Sequence, residues 1–282
     1  MNEVLLYTIL TLTLLGVLSA FILYFIAQKF KVEEDPRINE IESMLPGANC
    51  GGCGFPGCRG FADALVKNDD ISALFCPVVG SATMKAIAEN LGKVAPEKEP
   101  QVAVVRCGGS CAKRPSTNFY DGVASCVVSA MLYGGDTGCT YGCLSMGDCV
   151  AVCCFNAIRI DPETLLAEVD EEKCTACGMC VGVCPTHVIE MRRKGPKNRR
   201  IYVNCVNQDK GGISRRACEV SCTACKKCQK ICTFDAITIE NSLAYIDADR
   251  CRLCRKCVPE CSSKAIVEVN FPPPKNRNIT NQ

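Results

Sequence analysis

Tryptophan is absent from this chain of 282 residues, histidine occurs once, and aromatic residues make up only 6% of it. A single histidine excludes histidine-rich metal sites and argues against a catalytic triad built on that side chain. The sequence also lacks a glycine-rich dinucleotide fingerprint, a P-loop and a nucleophile elbow, so it indicates no site for an organic cofactor. The formal net charge of +2 gives no reason to expect a nucleic-acid partner.

Cysteine, by contrast, is abundant. The chain has 26 cysteines, and most of them lie in runs in which two residues separate one cysteine from the next. Runs of this kind are typical of metal clusters rather than of disulfide frameworks. We therefore expect the thiols to carry the chemistry of this protein.

The N-terminus predicts a membrane anchor. Residues 4–28 form an uncharged apolar run, and a spanning helix needs about 20 such residues. A secretory signal peptide is the alternative, but no basic residue precedes the run and the run is longer than a typical signal core. Lys29 and Lys31 follow it, so the positive-inside rule places the remainder in the cytoplasm. The prediction is a single-pass protein of the inner (cytoplasmic) membrane, facing a reducing compartment.

Composition and internal repeats predict an α+β protein made of several small units. Cysteine runs with the C-x2-C-x2-C-x3-C spacing of bacterial ferredoxins recur in the C-terminal half. The predicted segments are therefore a transmembrane anchor (1–31), a small α-rich 4Fe-4S domain (32–91), a linker (92–101), a first ferredoxin-like two-cluster module (102–200) and a second such module with the tail (201–282). Helices are expected at residues 36–45 and 82–91. In the modules, clustered cysteines alternate with short β-rich pairs, one of which joins residues 188–191 with 201–204.

The C-terminal module has the clearest metal-binding pattern. The C-x2-C-x2-C-x3-C spacing of bacterial ferredoxins occurs twice, from Cys222 and from Cys251. Three closely spaced thiolates reach three corners of a cubane, and the fourth comes from the other half of the module. The predicted ligand sets are Cys222, Cys225, Cys228 and Cys261, and Cys251, Cys254, Cys257 and Cys232. Tetrahedral zinc is the alternative, although zinc ribbons use pairs of cysteines.

The preceding module repeats this pattern with one stretched half. Its second half runs regularly from Cys174 to Cys184 and ends on Pro185. Its first half has the spacing C-x3-C-x5-C-x3-C, from Cys139 to Cys153. If the fourth cysteine again comes from the other half of the module, the predicted sets are Cys139, Cys143, Cys149 and Cys184, and Cys174, Cys177, Cys180 and Cys153.

A further set of cysteines precedes the modules. It comprises Cys50, Cys53, Cys58 and Cys76, in a segment rich in glycine. Glycines let the backbone wrap closely around a cluster and direct amides at it. The irregular spacing by itself is compatible with either zinc or iron and sulfur, and the neighbouring ferredoxin repeats favour a fifth 4Fe-4S cluster.

Six cysteines lie outside these five sets. They are Cys107, Cys111, Cys126, Cys154, Cys205 and Cys218. Buried structural thiols are one interpretation. The other is a sixth cluster, formed by Cys107, Cys126, Cys205 and Cys218, since two of these residues follow predicted strands and two lie in helical context. We assign no role to His187.

Charge is spread unevenly along the chain. Residues 189–282 contain 19 basic and nine acidic side chains, whereas residues 1–188 contain 13 basic and 21 acidic ones. Arg192, Arg193 and Lys194 lie in the densest basic segment, and further basic residues stand between the predicted ligand cysteines of the C-terminal module: Lys226, Lys227, Arg252, Arg255 and Lys256. Such a segment is either a solvated face or a docking site for an acidic protein.

Taken together, these features resemble the B subunits of Rnf complexes. The resemblance rests on the anchor, on LPGANCGGCGFPGC at residues 45–58, on GCTYGCLSMGDCVAVC at residues 138–153 and on the paired ferredoxin repeats. It covers nearly the whole chain. The sequence departs from the family pattern where Cys154, Thr233 and Ser262 replace the proline that normally follows the fourth cysteine.

In that family the complex is an ion-translocating ferredoxin:NAD+ oxidoreductase, also called an electron transport complex. The resemblance implies an electron-transfer subunit without a substrate-binding active site, which takes electrons from reduced ferredoxin and relays them within an ion-pumping complex. It implies partner subunits with flavin and NAD chemistry, and ferredoxin docking at Arg192, Arg193 and Lys194. Two other hypotheses remain: a polyferredoxin of a hydrogenase or dehydrogenase complex, and a zinc-binding scaffold protein.

Overall fold

The N-terminal apolar run folds as one long helix. A computed structural model describes residues 2–29, 35–132 and 134–273. Helix α1 (Asn2–Lys29) includes an 18-residue stretch with a mean hydropathy of 2.4, and none of that stretch is buried inside the protein. By length and composition, α1 can therefore cross a membrane. Lys31, the predicted boundary at residue 31 and the tail from residue 274 lie outside the described residues.

The next unit is a small helical domain. It contains α2 (Pro36–Met44), α3 (Cys58–Lys67) and α4 (Gly80–Leu91), so the two helices predicted here are confirmed. Asp35 caps α2, since its carboxylate accepts a hydrogen bond of 2.9 Å from the backbone nitrogen of Arg37. The helices pack on a core of apolar side chains. The most deeply buried of them are Ile41, Phe61, Leu65, Ile71, Met84 and Ile87.

Each ferredoxin-like module contains two antiparallel strand pairs. The strands are β1 (Gln101–Val105), β2 (Ile158–Ile160), β3 (Ala167–Val169), β4 (Ile189–Arg193), β5 (Arg200–Val203), β6 (Ile237–Glu240), β7 (Leu243–Ile246) and β8 (Ile266–Val269). Strand β1 pairs with β4 and β5 pairs with β8, while β2–β3 and β6–β7 form hairpins. The first and last strands of each module thus close on each other.

The predicted pairing of residues 188–191 with 201–204 is wrong. Those segments form β4 and β5, which belong to different sheets. Ile189 of β4 packs in a core with Ala103 and Ile158, whereas β5 packs in the core of the following module. Ile201 and Val203 of β5 therefore face the core of the second module, while Tyr202, on the other face of the strand, packs with Val102 and Val104 of β1.

Short helices follow the cysteine loops and strands of the modules. They are α5 (Cys126–Leu132), α6 (Asp148–Ala151), α7 (Met179–Val183), α8 (Gly211–Ala217), α9 (Lys227–Ile231) and α10 (Cys257–Glu260). Helices this short do not form on their own in water. Their stability must come from the packing of the cysteine loops around them.

Two buried arginines join the modules. Arg192 donates a hydrogen bond of 3.0 Å to the carbonyl of Ile246 and lies 5.0 Å from the ring centre of Tyr245. Arg106 donates to the carbonyls of Val203 (3.1 Å) and Cys205 (3.2 Å). Bonds from the first module to the backbone of the second fix the two as one packed unit.

Leu65→Ala tests the core of the helical domain. Leu65 is fully buried, and removing a buried leucine side chain costs about 2–5 kcal/mol. We expect a lower urea midpoint when unfolding is followed by helical circular dichroism. Leu132→Ala, at a position that is 71% exposed, is the matched control and should change stability by less than about 0.5 kcal/mol. Equal midpoints would contradict the described core.

Candidate iron–sulfur cluster sites

The C-terminal module brings together both predicted sets of four cysteines. Site 5 is a cavity that all four cysteines of the first set line: Cys222, Cys225, Cys228 and Cys261. Site 6 is a cavity that all four cysteines of the second set line: Cys232, Cys251, Cys254 and Cys257. Each site takes three thiols from one loop and the fourth from the other half of the module.

Burial, together with the neighbouring thiols, raises the pKa values of Cys228 in site 5 and Cys257 in site 6. Burial, followed by the charges of Cys222, Cys261 and Cys225, raises the pKa of the Cys228 thiol to about 11. Burial, followed by the charge of Cys251, raises the pKa of Cys257 to about 12. Four thiolates in so small a space are unfavourable unless positive charge lies among them, which the irons of a cluster supply.

Three cysteine loops share one backbone path. In each loop the residue two positions after the first cysteine and the residue directly after the second have φ values between +52° and +81°. These residues are Ala176 and Gly178, Ala224 and Lys226, and Leu253 and Arg255. A left-handed residue other than glycine costs of order 1–3 kcal/mol, so the surrounding structure must enforce this path. The path turns the three thiols of each loop toward one point.

A fourth loop follows the same path without its middle cysteine. Between Cys143 and Cys149, Ser145 (φ +62°) and Gly147 (φ +84°) occupy the two left-handed positions. Met146 therefore stands where the other loops have their second cysteine. The x5 spacing in the sequence is a C-x2-C-x2-C loop with methionine at its centre, which sequence reasoning missed.

Cys126 supplies the thiol that this loop lacks. It is the first residue of α5, and the backbone amides of Asp148 and Met146 donate hydrogen bonds to its sulfur. Asp148 fixes the start of the helix, since its carboxylate accepts from Ser125 Oγ (2.9 Å) and from the Val127 amide (3.1 Å). Site 3 therefore consists of Cys126, Cys143, Cys149 and Cys184.

Electrostatic interactions show the same grouping. Burial, followed by the charges of Cys143, Cys126 and Cys184, raises the pKa of Cys149 to about 12. Cys139, which the sequence predicted for this set, instead accepts a hydrogen bond of 3.4 Å from Asn207 Nδ2. The loop begins at Cys143, because Cys143 and not Cys139 occupies the first-cysteine position of the shared path.

Site 2 contains the other predicted set of the first module, Cys153, Cys174, Cys177 and Cys180. Burial, followed by the charges of Cys174, Cys177 and Cys153, raises the pKa of Cys180 to about 12. The regular loop from Cys174 to Cys180 therefore lies with Cys153 of the other half, which is the crossing that the spacing predicted.

Site 1 lies in the helical domain and contains Cys50, Cys53, Cys58 and Cys76. Burial raises the pKa of Cys76, with smaller contributions from the charges of Cys53 and Cys50, while the amides of Val79 and Val78 lower it. Asn49 Oδ1 accepts a hydrogen bond of 2.8 Å from the Cys58 amide and shapes the loop.

Sites 1 and 2 are in direct contact through a glycine. A Cβ atom on Gly52 would lie 2.7 Å from the carbonyl oxygen of Cys177, so only glycine allows this approach. The charge of Cys50 also contributes to the raised pKa of Cys177, behind burial.

The remaining cysteines and the histidine each have a defined place. Cys107, Cys139, Cys205 and Cys218 line one cavity, while Cys111 and Cys154 are exposed. His187 (φ +51°) is a turn residue, equivalent to Asn156, Asp235 and Lys264, each three positions after the fourth cysteine of its run.

All 26 cysteines lie in the described residues, and none of them forms a disulfide. Among the described residues, no three His, Cys, Asp or Glu side chains converge on the position of one metal ion. That result concerns a single ion, because a cubane binds each of its thiolates on a different iron.

Comparisons with known proteins agree with the cluster sites. Residues 45–78 match the family model described as "Putative Fe-S cluster", and residues 167–190 match "4Fe-4S binding domain". The first segment contains all of site 1, and the second contains the Cys174–Cys180 loop of site 2 and Cys184 of site 3. Both matches support 4Fe-4S clusters as the cofactor.

Relatives match over most of the chain. The B subunit of the Na(+)-translocating ferredoxin:NAD(+) oxidoreductase complex of Acetobacterium woodii is 42% identical, over 89% of this chain and 76% of its own length. The B subunit of the ion-translocating oxidoreductase complex of Methanosarcina acetivorans is 39% identical, over 94% of this chain and 99% of its own. The B subunit of the proton-translocating ferredoxin:NAD(+) oxidoreductase complex of Clostridium ljungdahlii is 38% identical, over 94% and 93%.

This chain belongs to the Rnf-type B subunits of ion-translocating oxidoreductase complexes. The resemblance drawn from the anchor and the cysteine motifs is therefore confirmed. So is the fold class of this protein, which combines helices and strands with one candidate transmembrane helix and iron–sulfur domains.

Proposed function

We propose that this protein is a membrane-anchored iron–sulfur subunit that takes electrons from reduced ferredoxin and relays them within an ion-pumping ferredoxin:NAD+ oxidoreductase complex. The observation that carries the proposal is the convergence of four cysteines on one cavity in each half of a ferredoxin-spaced module. Thiolate-bound 4Fe-4S clusters supply one-electron transfer, with potentials that depend on burial, hydrogen bonds and charge. Electron transfer between neighbouring clusters needs no substrate-binding active site, and other subunits supply the NAD chemistry.

Five cluster sites follow from the groups described above. Sites 1, 2, 5 and 6 have the ligands that the spacing predicted. Site 3 takes Cys126 in place of Cys139, because Cys126 lies beside Met146 and completes the interrupted loop.

Within each part of the molecule, sites with consecutive numbers are neighbours in space. Gly52 brings site 1 against site 2. The charge of Cys180 in site 2 contributes to the raised pKa of Cys149 in site 3, so these two sites are also neighbours. In the C-terminal module, the charge of Cys228 in site 5 acts in the same way on Cys257 in site 6.

Helix α1 anchors the protein in the cytoplasmic membrane. Its apolar side chains are exposed over the whole length of the helix and have no core to pack against within the described residues. Lys29 ends the helix, and the basic end of a spanning helix faces the cytoplasm. The clusters would then lie on the cytoplasmic side, with site 1 in the domain that follows the anchor.

The three residues predicted for ferredoxin docking do not form one exposed surface. Arg192 is 4% exposed and forms an ion pair with Glu190, so it cannot contact a partner. Arg193 is paired with Glu99 (2.6 Å) and Asp249 (2.7 Å). The densest basic segment of the sequence therefore serves mainly to join the modules.

A different basic surface lies over sites 5 and 6. We call it the basic rim; it consists of the exposed residues Lys226, Lys227, Arg252 and Lys256. The exposed cysteines Cys225 and Cys254 lie among these residues in sequence. An acidic ferredoxin attracted to the basic rim would bring its own cluster close to exposed ligands of this chain.

Anaerobic purification of the full chain tests the central proposal. We expect a brown protein that contains iron and acid-labile sulfide and gives EPR signals after reduction, because thiolate-bound clusters absorb visible light and become paramagnetic. A colourless protein that contains zinc instead would contradict the proposal.

Site 3 allows a sharper test by rescue. Cys126→Ala should reduce the iron content by about four atoms per chain, the content of one cubane. Adding Met146→Cys to that variant restores the regular C-x2-C-x2-C loop and should restore the lost iron. Cys154→Ala, at an exposed thiol, is the control and should keep the full iron content. Unchanged iron in Cys126→Ala would contradict the ligand set.

Charge reversal tests the basic rim. Lys227→Glu/Lys256→Glu should lower the rate constant for reduction by ferredoxin roughly 10-fold at low ionic strength, since steering by charge contributes about 10–1000-fold. The difference should shrink as salt is added. Lys67→Glu/Lys85→Glu changes the net charge equally on the helical domain and should have little effect. If both double variants react equally fast, ferredoxin docks elsewhere.

A further inference from the structure

Four of the six cysteines left outside the five sites form a group with as many thiols as a cluster site. Cys107, Cys139, Cys205 and Cys218 all line one cavity. Sites 5 and 6 are likewise cavities that four cysteines line. Cys139, Cys205 and Cys218 are buried, and Cys107 is partly buried.

Hydrogen-bond donors point at these sulfurs. Asn207 Nδ2 lies 3.4 Å from Cys139 Sγ, and the Cys143 amide lies 3.5 Å from Cys107 Sγ. Backbone amides of Cys222 and Asn207 donate to Cys205. Donors of this kind stabilise thiolates that ligate clusters and tune their potentials.

The same cavity is lined by buried polar atoms that have no partner within the described residues. They are Arg114 Nε, Asn204 Oδ1 and Ser221 Oγ. Arg114 is 4% exposed and brings a positive charge to the cavity wall. Buried polar atoms without partners are costly in a folded protein, and donors among them suit the sulfides and thiolates of a bound cluster.

Glycine keeps the backbone close to the thiols. A Cβ atom on Gly109 would lie 3.0 Å from Cys218 Sγ. A side chain at this position would enter the space between the sulfur and the chain, as expected where the backbone wraps a bound group.

We propose that Cys107, Cys139, Cys205 and Cys218 hold a sixth 4Fe-4S cluster, site 4, at the junction of the two ferredoxin-like modules. The inference rests on the proposed function, in that it assumes an iron–sulfur protein. It differs from the sixth set that the sequence predicted, because Cys126 belongs to site 3 and Cys139 takes its place.

Site 4 joins the two halves of the electron path. Cys107 lies two residues after β1 of the first module, and Cys205 lies two residues after β5 of the second. The amide bonded to Cys107 belongs to Cys143 of site 3, and an amide bonded to Cys205 belongs to Cys222 of site 5. An electron supplied by ferredoxin would pass from site 5 to site 4, which is thereby reduced. It would then pass from site 4 to site 3, and site 4 would be oxidised again.

Iron counting on the full chain tests site 4 without any variant. At four irons per cubane, six sites require about 24 irons per chain and five require about 20. A content of about 24 with matching sulfide is the expected result. A content of about 20 in a protein that has normal visible and EPR signals overturns site 4 but leaves the proposed function intact. A protein without iron overturns the proposed function itself.

Paired variants test which cysteines share the site. Cys139→Ala/Cys218→Ala should lose about four irons, because both residues belong to one cluster. Cys126→Ala/Cys218→Ala should lose about eight, because they belong to two. Cys111→Ala/Cys154→Ala, at the exposed thiols, should lose none.

The opposite pattern, with a loss of about eight from Cys139→Ala/Cys218→Ala and of about four from Cys126→Ala/Cys218→Ala, overturns the ligand set in favour of the one that the sequence predicted. No loss from Cys139→Ala/Cys218→Ala also overturns it. If both pairs lose all iron through misfolding, the content of the unaltered chain decides between five and six clusters.

Discussion

Four thiolates gathered in one buried space repel one another, and the fold of this protein depends on what offsets that repulsion. The last cysteine of the loop at each of sites 2, 3 and 6 has a pKa raised to about 12 by burial and by its neighbours. The cysteines also form much of the core, because the sheets have two strands each and most helices of the modules have one or two turns. Small units of this kind seldom fold on apolar burial alone. Cluster binding and folding are therefore one process in this protein.

The backbone path of the cysteine loop is the element that the chain repeats. Two left-handed residues at fixed positions turn three thiols inward, and in two of the regular loops both of these residues carry side chains. The loop from Cys143 to Cys149 keeps the path although methionine replaces its central ligand. The path is thus a property of the packed loop, and the ligand can come from another element when the loop lacks it.

The buried and the exposed basic residues have different roles: the buried arginines join the two modules, and the exposed residues of the basic rim are proposed to dock ferredoxin. Arg106 and Arg192 are buried and bond to backbone carbonyls across the module boundary. The exposed lysines of the basic rim lie at the C-terminal module, and site 1 lies in the domain next to the anchor. Electrons that enter at the rim would cross the junction of the modules before they reach the membrane-proximal domain. The cluster proposed at that junction would give the path its continuity.

The sequence alone determined the features that depend on local spacing. Apolar length predicted α1, and regular two-residue spacing predicted the ligands that converge at sites 5 and 6. It did not determine the strand partners of β4 and β5, nor the exchange of Cys126 and Cys139 between two sites. Those outcomes depend on which segments pack together across long separations in the chain. A ligand at the start of a helix or beyond the end of a strand has no fixed distance in sequence from the loop that it completes, so only the tertiary structure decided its site.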